Sequence, residues 1–145
     1  NLTGPFMCTQ QVLPSMLGNH AGRIVNVAST AALRGYATLT AYCASKHGLL
    51  GMTRSLAAEV AQSGITVNAV CPGYTEGGMS DQAVAAIMTL RGVSADEALA
   101  MLTRRNPQKR LTTQDEVAAT VVWLCSPDAS AITAQAIAVA GGEVM

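Results

Sequence analysis

Charge is scarce in this sequence. Asp, Glu, Lys and Arg together make up 12% of 145 residues, about half the usual share, and the formal net charge is zero. No Lys/Arg cluster exists, so the phosphate-neutralising term behind nucleic-acid affinity has no source, and nucleic acid is not expected as a partner. A surface this poor in charge predicts that much of it is covered by a further segment or a second subunit. No apolar run reaches the length of a membrane span. The opening "NLTGPFMCTQ" lacks a charged leader and a starting Met, and reads as neither a signal peptide nor a natural start.

Other absences narrow the chemistry. Cys8, Cys43, Cys71 and Cys125 form no CxxC, and His20 and His47 are the only histidines, so no metal site is expected. The cysteines read as small buried hydrophobes of a reducing cytosol, which places the protein in the cytoplasm. No GxSxG is present and neither histidine has an evident orienting acid, which argues against a nucleophilic hydrolase.

What the chain does have is alternation. Residues 4–18 suggest a helix with Pro14 near its end or at a kink, and "GRIVNVAS", 22–29, is an apolar run of strand length. A long helix is expected from about 41 to 62 with Gly64 as C-cap, then a strand over 65–70 and a Gly/Pro-rich loop over 71–79. Short helices follow over 80–90 and 94–105, the second opened by a Ser94/Glu97 capping box. Residues 112–126 form a clearer helix with Thr113 as N-cap and Val117, Val121 and Leu124 on one face; "AQAIAVAGG", 134–142, is a third strand. Alternating strands and helices predict a parallel α/β sheet covered on both faces, with ligands beyond the carboxyl ends of the strands. Those ends are Ser29, Cys71-Pro72-Gly73 and the Gly141-Gly142 turn.

Tyr42 and Lys46 stand four apart on the long helix, so they share one face. A cation beside a phenol favours the phenolate, which makes a tyrosine a workable acid or base for carbonyl and alcohol interconversion. YxxxK alone is common by chance, and a half-buried tyrosine beside a solvated lysine explains it equally well. Ser29 changes its weight: it ends the first strand thirteen residues before Tyr42, and a loop of that length can return its hydroxyl to the helix start.

Four ordered segments, "GRIVNVAS", "AYCASKHGLLGMTRSLAAEVA", "GITVNAVCPG" and "QKRLTTQDEVAATVVWLCSPDASAITAQAIAVAGG", together resemble the short-chain dehydrogenase/reductase family over nearly the whole chain. The resemblance implies the C-terminal part of a Rossmann-like doubly wound parallel sheet, three strands with covering helices and the first strands missing. It implies a hydride transfer between NAD or NADP and a carbonyl or secondary alcohol of a small-molecule substrate. In that family the tyrosine is the general acid/base, the lysine holds the nicotinamide ribose and eases ionisation of the tyrosine, and the serine orients the substrate carbonyl; the matching residues are Tyr42, Lys46 and Ser29. Asn1, in "NLTG", matches an asparagine that holds a relay water, and Pro72, Gly73 and Thr75 match the loop beside the nicotinamide. The family's two long helices, here 4–18 and 41–62, build a homo-oligomer interface, which implies a dimer or tetramer.

Three departures stand out. Gly77 occupies a position where a threonine is usual, and Ala134 and Ala140 replace a common glycine and aspartate. No GxGxxG or even GxG occurs, so the phosphate half of a dinucleotide site, with its NAD/NADP selector, is not in these residues. The chain is therefore expected to be one partial domain, 1–145, with a substrate lid over 74–110, and to bind the cofactor weakly or not at all by itself. The overall texture, "AQAIAVAGG" included, resembles family members that act on 3-oxoacyl or 3-hydroxyacyl thioesters. Arg91, Arg104, Arg105, Lys109 and Arg110 on that lid either meet the phosphates of such a thioester or form solvated helix faces. Another alcohol of the sugar, steroid or cyclic class, or an inactive truncated chain that only associates with full-length subunits, fits the same residues.

Overall fold

The computed structural model describes residues 1–144. Along the chain, α1 (Thr3–Asn19), β1 (Gly22–Val27), α2 (Thr40–Glu59), β2 (Ile65–Pro72), α3 (Gly78–Arg91), α4 (Ala95–Leu102), α5 (Gln114–Cys125) and β3 (Ala136–Val139) follow in order, with 3-10 turns at Thr30–Ala32 and Pro127–Ala129. Among the described residues the strands make one parallel sheet in the order β1-β2-β3. Gly22 pairs with Ile65 and Val27 with Val70 at one seam; Ala69 pairs with Ala136 and Pro72 with Val139 at the other.

β2 is the centre, and seven of its eight residues are buried because both sheet faces are covered. Its side chains alternate between two cores. Ile65 and Val67 pack with Ile24, Leu56, Ala57 and Val60, with Leu13 and Met16 of α1 against them; Ala69 and Cys71 pack with Leu49 and Leu50 of α2. On the opposite face Val70 meets Leu124 and Ala129, flanked by Val117 and Val121 of α5. This is the covered parallel α/β sheet expected from the strand runs.

Buried polar groups set the register. Asn68, fully buried, donates from Nδ2 to the Ile132 carbonyl at 2.8 Å and accepts the Gln135 N–H at 3.1 Å, stapling the entry of β3 to β2. Asn26 of β1 donates to Thr53 Oγ1 of α2 at 2.9 Å, and Thr53 passes its own proton to the Leu49 carbonyl at 2.8 Å. The expected Ser94/Glu97 capping box forms, and Thr113, expected as an N-cap, makes a second capping box with Glu116.

Several boundaries differ from the expectation. Pro14 lies inside α1, which continues to Asn19 and ends on His20 in the left-handed region. Gly64 is not the C-cap of α2: the helix ends at Glu59 with Val60 as its cap. Gly64 is held at φ +72° because the His20 carbonyl leaves no space for a Cβ there. β1 ends two residues early and β3 has four residues, not nine, although Ala28 still donates to the Val70 carbonyl beyond β1. Cys43 and Cys71 are buried, but Cys8 and Cys125 lie at the surface, so the buried reading holds for two of the four.

Candidate active site

Ser29 leaves the sheet in extended conformation and starts the 3-10 turn, its Oγ accepting the Ala31 N–H at 3.1 Å. That turn packs on α2, with Ala32 in one cluster with Leu49 and Leu50, which ties the segment after Ser29 to the helix that carries Tyr42. Tyr42 is half-buried in that first turn. Lys46, one turn on, does not reach solvent as a free lysine would. It is 8% exposed, its Nζ donates to the Val27 carbonyl at 3.0 Å, and the ammonium lies 5.7 Å from the Tyr42 ring centroid. Burial pulls its ionisation below the ordinary lysine value, and Cys71 opposes this. Since an isolated ammonium is costly to bury, one backbone carbonyl and one aromatic face are a sparse set of partners. Two of its three donors remain for oxygen atoms supplied from outside.

Pro72 ends β2 and Gly73 follows, packed so closely on Ala140 and Glu143 that an added Cβ would come within 3.1 Å of each. Thr75 turns its hydroxyl inward to donate to the Gly73 carbonyl at 3.2 Å, and its own carbonyl accepts the Ser80 hydroxyl at 2.6 Å. The loop is further fixed by a bridge between Thr75 and Thr112. Gly77 has φ +122°, and a Cβ there would approach Gln114 Nε2 at 2.8 Å. A threonine at that position would be strained by this backbone conformation, while the Gln114 amide end could move aside. Asn1 lies exposed ahead of α1, two residues before its first turn. Its neighbour Leu2 packs on α2 at Gly48, where a Cβ would meet it at 2.9 Å.

A cavity of about 370 Å³ opens between the Ser29–Tyr42 loop, the loop after β2, helices α3 and α4 and the C-terminal turn. Its walls include Tyr36, Tyr74, Ile87, Met101, Arg105 and Glu143. Of the five basic residues singled out on the lid, Arg104 and Arg105 line this cavity. Arg110 instead pairs with Glu116, and Lys109 donates to the Arg104 carbonyl at 2.7 Å. Tyr36, Tyr74 and Glu143 were not singled out in the sequence. The one available signal was Glu143 directly after the Gly141-Gly142 turn, an acid at the carboxyl edge of the sheet. Burial pushes the phenols of both Tyr36 and Tyr74 upward, Tyr36 to about 12.

Residues 1–143 match the family described as Enoyl-(Acyl carrier protein) reductase. The chain is 38% identical to the 3-oxoacyl-[acyl-carrier-protein] reductase FabG of Rickettsia bellii, across all of this chain and 56% of that protein. Among solved structures, an actinorhodin polyketide ketoreductase variant with NADPH superposes with a TM-score of 0.92 at 46% identity, over 99% of this chain and 56% of that one. A short chain dehydrogenase family protein from Francisella tularensis does so with 0.80 at 30% identity, over 83% and 50%. The chain thus spans about half the length of the relatives it matches. With strand-ending serine, Tyr42 over Lys46 and the Pro-Gly turn on one sheet edge, the chain belongs to the short-chain dehydrogenase/reductase family.

Proposed function

We propose that the protein is an NAD(P)-dependent oxidoreductase acting on 3-oxoacyl or 3-hydroxyacyl thioesters. The observation that carries this reading is Lys46. Its ammonium is buried beneath the Tyr42 ring with a single carbonyl as hydrogen-bond partner, an arrangement with little structural benefit and a clear chemical use. The residues fit a nicotinamide nucleotide: Lys46 has donors to spare for ribose hydroxyls, and Pro72, Gly73 and Thr75 would border the nicotinamide end. That group supplies or accepts the hydride. Tyr42 gives its proton to the substrate oxygen as the carbonyl becomes an alcohol, and takes it back in reverse. Lys46 stabilises the phenolate left behind by its charge. Ser29 donates to the same oxygen, polarising the carbonyl and fixing its approach. Asn1 would hold a water that returns the proton to Tyr42.

The cavity and the relatives support this substrate class. An acyl chain has Ile87 and Met101 to contact, while Arg104 and Arg105 offer positive charge for a phosphate-bearing carrier arm. The relatives named for ketoacyl and 3-oxoacyl reduction support this class. Phe6, Met7, Val12 and Leu17 are exposed apolar residues of α1, and Phe6 with Leu13, Met52 and Leu56 lines a groove between α1 and α2; both features support association of subunits through these helices.

The test is turnover of a 3-oxoacyl thioester with NADH or NADPH by the protein in its natural length. Tyr42→Phe should remove turnover by at least 100-fold, within the usual range for a general acid, while nucleotide binding by fluorescence titration persists. An active Tyr42→Phe variant would remove Tyr42 from its role. A wild-type protein inert toward every 3-oxoacyl thioester but active on cyclic or sugar alcohols would move the substrate class.

A further inference from the structure

We propose that Glu143 is a positioning residue of this site: through the Tyr36 hydroxyl it locks the turn after Ser29 to the C-terminal turn and so fixes one wall of the cavity. The proposal rests on the carbonyl-reductase reading above and adds to it a residue pair outside the Ser29, Tyr42 and Lys46 set.

The Tyr36 hydroxyl lies 2.9 Å from Thr30 Oγ1 and 2.7 Å from Glu143 Oε1. A phenol has one proton and a carboxylate can only accept, so the Tyr36 proton goes to Glu143. The Thr30 hydroxyl then donates into the Tyr36 oxygen. The result is a directed chain from Thr30 to Tyr36 to Glu143, in which each link strengthens the other. Thr30 is buried and directly follows Ser29, so the first link ends at the backbone that carries the serine hydroxyl. At the other end, Glu143 arrives through Gly141 at φ +57° and Gly142 at φ +87°, a turn that aims its side chain back over the sheet edge. Its second oxygen lies against Gly73, so one carboxylate touches both the Pro72-Gly73 turn and the loop before α2.

The ring of Tyr36 is fixed as well as its hydroxyl. The Arg34 guanidinium lies 5.4 Å and that of Arg105 5.8 Å from the ring centroid, so cations hold the ring while an anion holds the hydroxyl. The raised ionisation of Tyr36, driven first by burial, agrees with a phenol that keeps its proton for this bond. Tyr36, Arg105 and Glu143 all line the cavity, so loss of the bond reshapes the wall that faces substrate.

The test uses the protein in its natural length, with Tyr36→Phe, Glu143→Leu, Glu143→Gln and the double variant Tyr36→Phe with Glu143→Leu. Tyr36→Phe and Glu143→Leu should each lower kcat on a 3-oxoacyl thioester about tenfold, the scale of one hydrogen bond to a charged group. The KM for the nicotinamide nucleotide should be unchanged. The double variant should lose no more than either single one, because both break one bond. Glu143→Gln keeps a carbonyl acceptor and should recover most of the rate. A second readout needs no turnover: the phenolate absorbance midpoint of Tyr36, taken as the difference from Tyr36→Phe, should fall in Glu143→Gln and in Glu143→Leu. Additive rate losses, or a midpoint that does not move, would overturn the proposal. If the wild type turned over no 3-oxoacyl thioester, the substrate reading would fail while the absorbance midpoint still decided the Tyr36–Glu143 bond. If Glu143→Leu failed to fold, the Glu143→Gln midpoint would decide it.

Discussion

Lys46 and Ala134 both stand in surroundings that contradict their ordinary preferences. For Lys46 the proposed chemistry would give the contradiction a use, and the sequence marks the residue because helical spacing alone puts it one turn from Tyr42. Ala134 has φ +61°, the left-handed region where a Cβ crowds the backbone, and its N–H is committed to the Val67 carbonyl at 2.8 Å. The staple from Asn68 beside it holds the chain in this conformation. Ala134→Gly should therefore raise stability by about 0.5–1 kcal/mol, the relief of left-handed strain exceeding the lost methyl contact and the added chain entropy. A urea titration checks it, and a loss of stability would show that the methyl packing on the Ile24 and Leu56 cluster outweighs the strain. Tyr36 and Glu143 were illegible for a simple reason. They stand 107 positions apart, and no local pattern in a sequence encodes a hydrogen bond over that separation.

Elements were legible where local chemistry settles them. The helix after Thr113 starts where its cap and the acid three residues on require, because that signal is contained within one turn. Thr113→Ala removes the hydroxyl that accepts the Glu116 N–H at 3.1 Å and should cost about 1 kcal/mol, read from the urea midpoint. The exposed Arg110–Glu116 pair remains in that variant and offsets little of the loss. A change below about 0.2 kcal/mol would show that the cap is replaced by water. Ends governed by tertiary contact were less legible. The space left at Gly64 depends on the approach of His20, which belongs to another helix's terminus. β3 is short because its ladder pairing with β2 runs only from Ala136 to Val139, with Ala134 and Gln135 making single backbone bonds to Val67 and Ala69 ahead of it, and an apolar run cannot reveal where its neighbour stops.

At the scale of the molecule, the cavity joins segments from the thirties, seventies, eighties, early hundreds and one-forties, while Tyr42 and Lys46 sit on α2, which packs on β2 and the Thr30–Ala32 turn. The layered parallel sheet was legible because buried strands read as continuous apolar runs; which distant segments close over its edge was not. The bond between Tyr36 and Glu143 has a consequence for how the protein fails. A contact spanning so much chain forms only after β3 has docked, and β3 is the shortest strand, paired on one side through four residues. Mild denaturant should free the C-terminal turn before it loosens α2, so catalytic rate should decline at lower urea than helical circular dichroism does. Coincident curves would mean that the segments melt together. Turnover would then serve as a gauge of whether one outer strand is seated, and the proposed activity would fall silent while most of the architecture still stands.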